Sequence, residues 1–303
     1  MTVQKKTARI RTGSRVADVL IYAVMGLVAF VTLYPLYYVL ILSLSSPQHA
    51  ASLQVYWWPK GLYLGGYEKI VGDARIWMSY RNTILYALTQ MVLMLLVCGS
   101  AAYALSYKNL KGRRVINTYL LIPMYFSGGI IPLFLLILNL GIYNTPWALI
   151  LPGAYSIWYT ILIKAYFGSI PESMREAAMI DGASVYQIFG KIYIPLAKPI
   201  LAVVALYTVI GVWNEWYKAS LFITDQSLQP LQLYLRRILV EQSVDLSQDY
   251  VSQEQMMASM EQRMSNNQLK YCVIIVSSVP MLCAYPFFQK YFVKGVMLGS
   301  LKE

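Results

Sequence analysis

Six long apolar runs, nearly free of charge, limit what this sequence can become. They extend approximately over Val19–Leu44, Thr83–Ser106, Ile116–Leu140, Ala148–Lys164, Ile200–Trp213 (continued by Trp216 and Tyr217) and Tyr271–Tyr291. A helix needs about 20 mainly apolar residues to cross the hydrocarbon core of a bilayer. One Asp, Lys or Arg at its centre costs on the order of 2.5–3.5 kcal/mol on insertion scales. The runs are continuous rather than alternating with period two, which argues against a β-barrel. Only 13% of residues are charged and 58% are hydrophobic, whereas soluble domains carry about 25% charged residues. The expectation is an all-α membrane protein with six transmembrane helices, the fifth being the shortest.

The net charge of +11 could suggest nucleic acid, but the placement of the basic residues gives another reason for it. Lys5, Lys6, Arg9, Arg11 and Arg15 precede the first run; Lys108, Lys111, Arg113 and Arg114 link the second and third. Arg175, Lys191 and Lys198 lie between the fourth and fifth, and Lys290, Lys294 and Lys302 follow the sixth. Every second connection is therefore basic, and basic connections face the cytoplasm. Both termini are expected there, with a cytoplasmic arm over 1–15 and one six-helix domain over 16–303. A signal-peptide core spans about 7–15 residues; the first run is longer and reads as a retained span. No internal repeat relates the two halves. A translocation path normally lies between two bundles or repeats, so a lone bundle implies a partner. Cys98, Cys272 and Cys283 sit inside apolar runs at no metal or disulfide spacing, and His49 has no companion ligands.

Between the fourth and fifth runs lies a polar stretch, EAAMIDGASVYQIFGKIYIPLAKP, from Glu176 to Pro199. Pro171 and Glu172 suit a helix start. Gly182 suits a left-handed C-cap, and Ser184 with Gln187 forms a capping box for a second helix. Val185, Ile188, Phe189 and Ile192 give that helix an apolar stripe, Pro195 is expected to end it, and Pro199 marks re-entry into the membrane. The stretch thus reads as helix, glycine turn, helix on the cytoplasmic side. The residues alone leave open a loop packed under its own bundle.

Glu176, Ala177, Ala178, Asp181, Gly182, Ala183, Phe189, Pro195 and Pro199 resemble, at fixed spacing, the EAA loop of bacterial ABC importer permeases that work with a solute-binding protein. The likeness covers nearly the whole chain. FSGGIIPLFLLILNLGIYNTPWALILPGAYS, VWNEW and PLQLYLRRIL are similar to carbohydrate permeases like the smaller maltose-transporter permease, in the branch taking up oligosaccharides such as alginate, aldouronate and rhamnogalacturonan fragments. The resemblance implies a bacterial inner-membrane subunit that is not itself an enzyme. It implies a distinct sister permease, two ATP-binding subunits that hold ATP and Mg, an extracytoplasmic binding protein and an oligosaccharide cargo. It also implies that residues 168–199 form the coupling loop. Glu176 would pair with a basic residue of an ATPase, Gly182 would supply the turn and Phe189 would anchor the second helix.

No G-x-x-x-x-G-K-[ST] occurs, so the chain lacks a P-loop. Gly128, Gly129 and Pro132 mark a weak point where the third span could bend, and Pro152–Gly153 is similar. Trp213, Asn214, Glu215 and Trp216 combine aromatic faces with polar groups, which suits sugar rings and equally an interfacial aromatic belt. In the exterior loop 218–270, Met256, Met260 and Met264, with Met257 beside them, would stripe one helix face. That stripe could meet the binding protein or pack over the bundle. A stand-alone secondary transporter would need a charged relay inside its spans; an integral membrane enzyme would need a cluster of acids, histidines or cysteines. The sequence offers neither.

Overall fold

A computed structural model describes residues 15–241, Met257, 264–284 and Pro286. Among these residues the regular structure is helical throughout, with no strand. Three single helices are long and apolar enough to cross a membrane: α1 (Arg15–Ser43, apolar over Ala17–Ser43), α2 (Ala74–Ser106) and a C-terminal helix over Met264–Ala284. Two bent pairs raise the total to five.

The long second helix begins well before Thr83, because its first turns are held by polar contacts rather than by lipid. The Asp73 carboxylate caps it, accepting from the Arg75 backbone N–H at 2.9 Å, from the Arg75 guanidinium at 3.0 Å and from the Tyr234 hydroxyl at 2.5 Å. Further along, Asn82 donates to the carbonyls of Ser227 and Gln229, Thr83 accepts from the Leu231 N–H, and Tyr86 donates to the Leu228 carbonyl. An apolar-run criterion cannot see a helix start built this way.

The third run is broken. α3 (Arg113–Tyr125) and α4 (Ile130–Asn139) meet at 111°, because Phe126 leaves the helix extended and Gly129 has φ +83°. That conformation is open to glycine and strained for a β-carbon-bearing residue. The expected weak point at Gly128–Gly129 is thus a full break. The fourth run is interrupted too. A short turn of helix over Trp147–Ile150 is separated by Pro152–Gly153 from α5 (Ile157–Gly168). Gly153 leaves room for the Gln90 amide, which would have to move if a Cβ stood there. Next come α6 (Glu172–Ile180), α7 (Val185–Leu196) and α8 (Lys198–Trp213); α7 and α8 are bent by 79°. α9 (Tyr217–Phe222) and α10 (Leu231–Glu241) follow, and the C-terminal helix Met264–Ala284 is α11. α11 begins before the expected Tyr271, and the end of that run at Tyr291 lies outside the described residues.

The chain divides into two compact units. In the first, Ile41 and Leu42 at the end of α1 pack with Ala50 and Val55, and Tyr271 covers them. Gln268 donates to the Ser43 carbonyl at 2.8 Å. Before Ile41, residues 17–40 of α1 include none buried among the described residues. In the second unit, α2 is the central helix, packed against α5 and α8.

Candidate coupling element and translocation face

The element begins with local sequence chemistry. α6 ends in a Schellman turn: the Ala183 N–H donates to the Ala178 carbonyl at 2.9 Å and the Gly182 N–H to the Met179 carbonyl at 3.1 Å. Gly182 sits at φ +78°, as the turn requires. Ser184 and Gln187 form the reciprocal capping box that starts α7. Beyond the box, α7 departs from expectation. Residues Phe189–Tyr193 form a π turn, with the Ile194 N–H donating back to the Phe189 carbonyl. Pro195 therefore does not end the helix, which continues through Leu196. The wider turn absorbs a proline that has no N–H and whose ring would crowd the preceding carbonyls of a regular helix.

The extra residue in that turn rotates the apolar stripe. Ile188, Tyr193 and Ala197 are buried and Phe189 and Ile192 are partly covered, whereas Val185, expected on the stripe, is exposed. The buried side meets an aromatic cluster. The Phe189 ring lies 4.9 Å from that of Tyr103 on α2 and 6.4 Å from that of Phe167 on α5. Tyr193 lies 4.8 Å from Tyr103 and 5.2 Å from Phe167. Ala178 and Ala183 pack on the same cluster. α6 is fastened by charge as well. Glu172 takes Lys108 at 2.8 Å and Arg175 at 2.7 Å, and the Arg175 guanidinium lies over the Tyr107 ring at 4.5 Å. The Lys108 hydrogen bond and charge, with Arg175, hold the Glu172 carboxyl below the usual range.

The seven residues expected to couple thus divide between two faces. Ala178, Ala183 and Phe189 point inward, and Gly182 makes the turn between them. Glu176, Ala177 and Asp181 are exposed, and no ion pair to Glu176 occurs among the described residues. Beside them stand Val185 and three bare hydrophobes that were not singled out from sequence as contacts: Met179, Ile180 at 86% exposure and Tyr186 at 87%. Their signal was present, since large apolar side chains stand in an otherwise polar stretch of the sequence. The inner partners Tyr103, Tyr107, Phe167 and Tyr193 carried no local signal, because only the fold brings them together.

The four residues proposed for the sugar path also separate. Trp213 is buried, and its indole N–H donates to the Ser277 carbonyl at 3.2 Å, so it packs α8 rather than lining a path. Asn214 donates to the Ile210 carbonyl as a C-cap. Glu215 accepts from the Lys218 N–H at 3.0 Å and faces the Lys218 ammonium at 3.4 Å. The Trp216 ring lies under the Arg236 guanidinium at 3.5 Å. Of the methionine stripe, Met256 and Met260 lie outside the described residues; Met257 is exposed and Met264 half-buried.

Residues 96–298 match the family described as the binding-protein-dependent transport system inner membrane component. The chain belongs to this family. It is accordingly a multi-pass inner-membrane component, and the EAA-like stretch lies within the matched region. Protein LplC of Bacillus subtilis (strain 168) is 32% identical over 293 residues, 95% of each chain. The polygalacturonan/rhamnogalacturonan transport system permease protein YtcP of the same strain is 32% identical, covering 95% of this chain and 99% of that one. A chain from the crystal structure of a bacterial ABC transporter that imports the acidic polysaccharide alginate superposes with a TM-score of 0.81 at 32% identity, covering 96% of this chain and all of that one. A chain of the alginate transporter bound to its pentasaccharide-loaded periplasmic protein matches at TM-score 0.54 and 12% identity, a likeness of fold alone.

Proposed function

We propose that this family member is one membrane half of an ATP-driven ABC importer for oligosaccharides, acidic ones such as alginate or pectin-derived fragments in particular. The observation that carries the reading is the two-faced element over 172–196. Its inner face is locked to α2 and α5 by the aromatic cluster, and its outer face offers Glu176, Asp181, Met179, Ile180 and Tyr186 to solvent. An acidic and apolar knob of this kind fits a cleft on an ATP-binding subunit with a basic rim. The path requires a sister permease, and two ATP-binding subunits hold the ATP and Mg; this chain binds no cofactor and hydrolyses nothing. Six crossings follow if α3 with α4, and residues 147–168, each count as one span, with both termini cytoplasmic. An extracytoplasmic binding protein delivers the sugar, meeting Met256, Met257, Met260 and Met264. Closure of the ATPases pushes the knob, and the bundle opens outward.

The test is co-purification in mild detergent followed by ATP-dependent uptake in proteoliposomes loaded with the binding protein. Wild type is expected to carry the sister permease and two ATPases, whereas Glu176→Lys strips the ATPases from the membrane pair. A chain that purifies without any ATPase, wild type included, would refute the reading. Proton-driven uptake by the chain alone would establish a secondary transporter instead.

A further inference from the structure

α3 stands off from the rest of its unit. None of its residues is buried, and between it and α5 lies a space of about 360 Å³. Most of the wall is apolar: Leu105 near the end of α2, Leu120 and Leu121 on α3, Ile157 and Ile161 on α5. Lys164 and Asn117 line it as well, joined by a hydrogen bond of 2.8 Å. The Thr160 hydroxyl, also on the lining, is committed to the Ser156 carbonyl at 2.9 Å. Between Ile157 and Lys164, α5 rises about 10 Å. That is about two-thirds of the roughly 15 Å that one leaflet gives to the hydrocarbon core.

The Lys164 end gathers positive charge. Lys164 stands about one turn before the end of α5 at Gly168, and the connection into α3 carries Lys108, Lys111, Arg113 and Arg114. An irregular connection after a helix of membrane length does not lie exposed in hydrocarbon, and its basic residues mark the cytoplasmic surface. Arg113 is near enough for its charge to act on Lys164. Lys108 is taken by Glu172, but no ion pair to Lys164, Arg113 or Arg114 occurs among the described residues. Asn117 meets Lys164 through its side-chain oxygen. Two of the three ammonium N–H groups and the Asn117 amide N–H groups are thus left for another acceptor. Tyr155, on the same lining, has a buried hydroxyl with no hydrogen-bond partner among the described residues, a costly state for a polar group.

We propose that this cavity holds one anionic phospholipid of the cytoplasmic leaflet. Its phosphate accepts from Lys164 and Asn117 and faces Arg113, and one acyl chain fills the apolar space along α5. An ester carbonyl gives the Tyr155 hydroxyl the acceptor it lacks. A free phosphate would leave the apolar space empty, and a fatty acid would bring no ester. A zwitterionic lipid would add its own ammonium to an end that is already cationic, so a headgroup of net negative charge fits. Basic pockets between membrane helices on this side bind anionic headgroups in the same way. The Lys108–Glu172 pair ties the same connection to α6, so an occupied site braces the support of the element over 172–196. The site requires only the chain's place in a membrane and stands whether or not the importer reading does.

The test reconstitutes the full chain, with the subunits that co-purify with it, in liposomes. These contain a trace of phosphatidylglycerol or phosphatidylethanolamine with a photoactivatable group midway along one acyl chain, and adducts are mapped by mass spectrometry. Phosphatidylglycerol is expected to label residues 120–121 and 157–161 about tenfold more than phosphatidylethanolamine, the factor that one charge-assisted hydrogen bond supplies. Lys164→Gln should erase that preference and Lys164→Arg should restore it. Leu121→Trp, which fills the space and keeps the cations, should suppress labelling of residues 157–161 by both lipids. Excess inorganic phosphate or alginate tetrasaccharide should leave the wild-type pattern unchanged. Equal labelling by the two lipids in wild type, or a preference that survives Lys164→Gln, would overturn the site. Displacement by either soluble anion would overturn it too, by assigning the space to a free anion or to cargo. So would adducts elsewhere on α3 with none on this lining, since another chain would then cover it. The comparison of lipids and competitors in wild type needs no variant, so a misfolded substitution cannot shield the proposal.

Discussion

Phe189→Ala is the sharpest probe of how the element over 172–196 is held. The ring touches Tyr103 at 4.9 Å and Phe167 at 6.4 Å, and aromatic pairs are worth about 0.5–1.5 kcal/mol each beyond their buried area. Truncating a fully buried Phe costs about 3–5 kcal/mol. Phe189 is only partly covered, so about 2 kcal/mol is the reasonable figure. It should appear locally, because α7 has a second anchor in Tyr193 and the turn before it is closed by its own backbone bonds. Opening of α7 should therefore become about thirtyfold more frequent, at 1.4 kcal/mol per factor of ten. Hydrogen exchange of residues 185–196 in the intact complex reads this directly, with the amide of Ile194, bonded across the π turn, as the most informative. Phe189→Leu should recover most of the protection. Uptake per ATP hydrolysed should fall in the alanine variant while ATPase binding persists, since Glu176, Met179 and Tyr186 are untouched. Exchange within about threefold of wild type, with normal coupling, would refute the claim that this ring fastens the element.

Other outcomes follow from single contacts. Gly182→Val forces a β-branched residue into φ +78° at about 1–2 kcal/mol. Space is not at issue there, so Gly182→Asn should be milder, and ATPase retention on a pulldown ranks the two. Asp73 is held at about 2, chiefly by the Arg75 side chain and also by the Tyr234 hydroxyl, against desolvation. A depressed carboxyl stabilises fully above its ordinary value, about pH 4, and loses that contribution as pH falls toward 2. Exchange at the start of α2 should accelerate over that interval in wild type and lose its pH dependence in Asp73→Asn, which retains a capping side chain. Replacing Met256, Met257, Met260 and Met264 by Ser should weaken docking of the loaded binding protein, measured by surface plasmon resonance on nanodiscs; undiminished docking and uptake would discard that contact.

What the sequence revealed follows from the range of the physics. Gly182 and the Ser184–Gln187 box are decided within a few residues, and both hold at atomic detail. The boundaries of α2 and α7 rest on polar and backbone details that hydropathy does not register. Asp73 caps α2 through Arg75, with the distant Tyr234 as a further donor, and Pro195 is accommodated after a π turn. Beyond Ile188 the inserted residue shifts the buried face by about a third of a turn, which carries it to Tyr193 and Ala197. Trp213 shows the opposite limit: its composition suited a sugar, but its neighbour Ser277, far along the chain, makes it a packing residue. Apolar runs locate the third and fourth membrane segments while hiding their breaks, because glycine and proline leave hydropathy nearly unchanged.

α2 links these regions. Tyr103, which receives Phe189 and Tyr193, lies 13 residues from Gln90 on the same unbroken helix, a rise of about 20 Å. Gln90 in turn is pressed against Gly153. α2 contains no proline, but Gly99–Ser100, a glycine–serine pair of the kind at which helices bend, lies between Gln90 and Tyr103, with the Ser100 hydroxyl donating back to the Leu96 and Val97 carbonyls. On the importer reading, a displacement applied to Tyr103 by the element over 172–196 would travel toward Gln90 along this one helix. The breaks in this unit lie elsewhere, at residues 126–129, 151–156 and 197. α2 is continuous while its neighbours are interrupted, so on the importer reading α2 would carry motion from the element over 172–196 and the interrupted helices would yield.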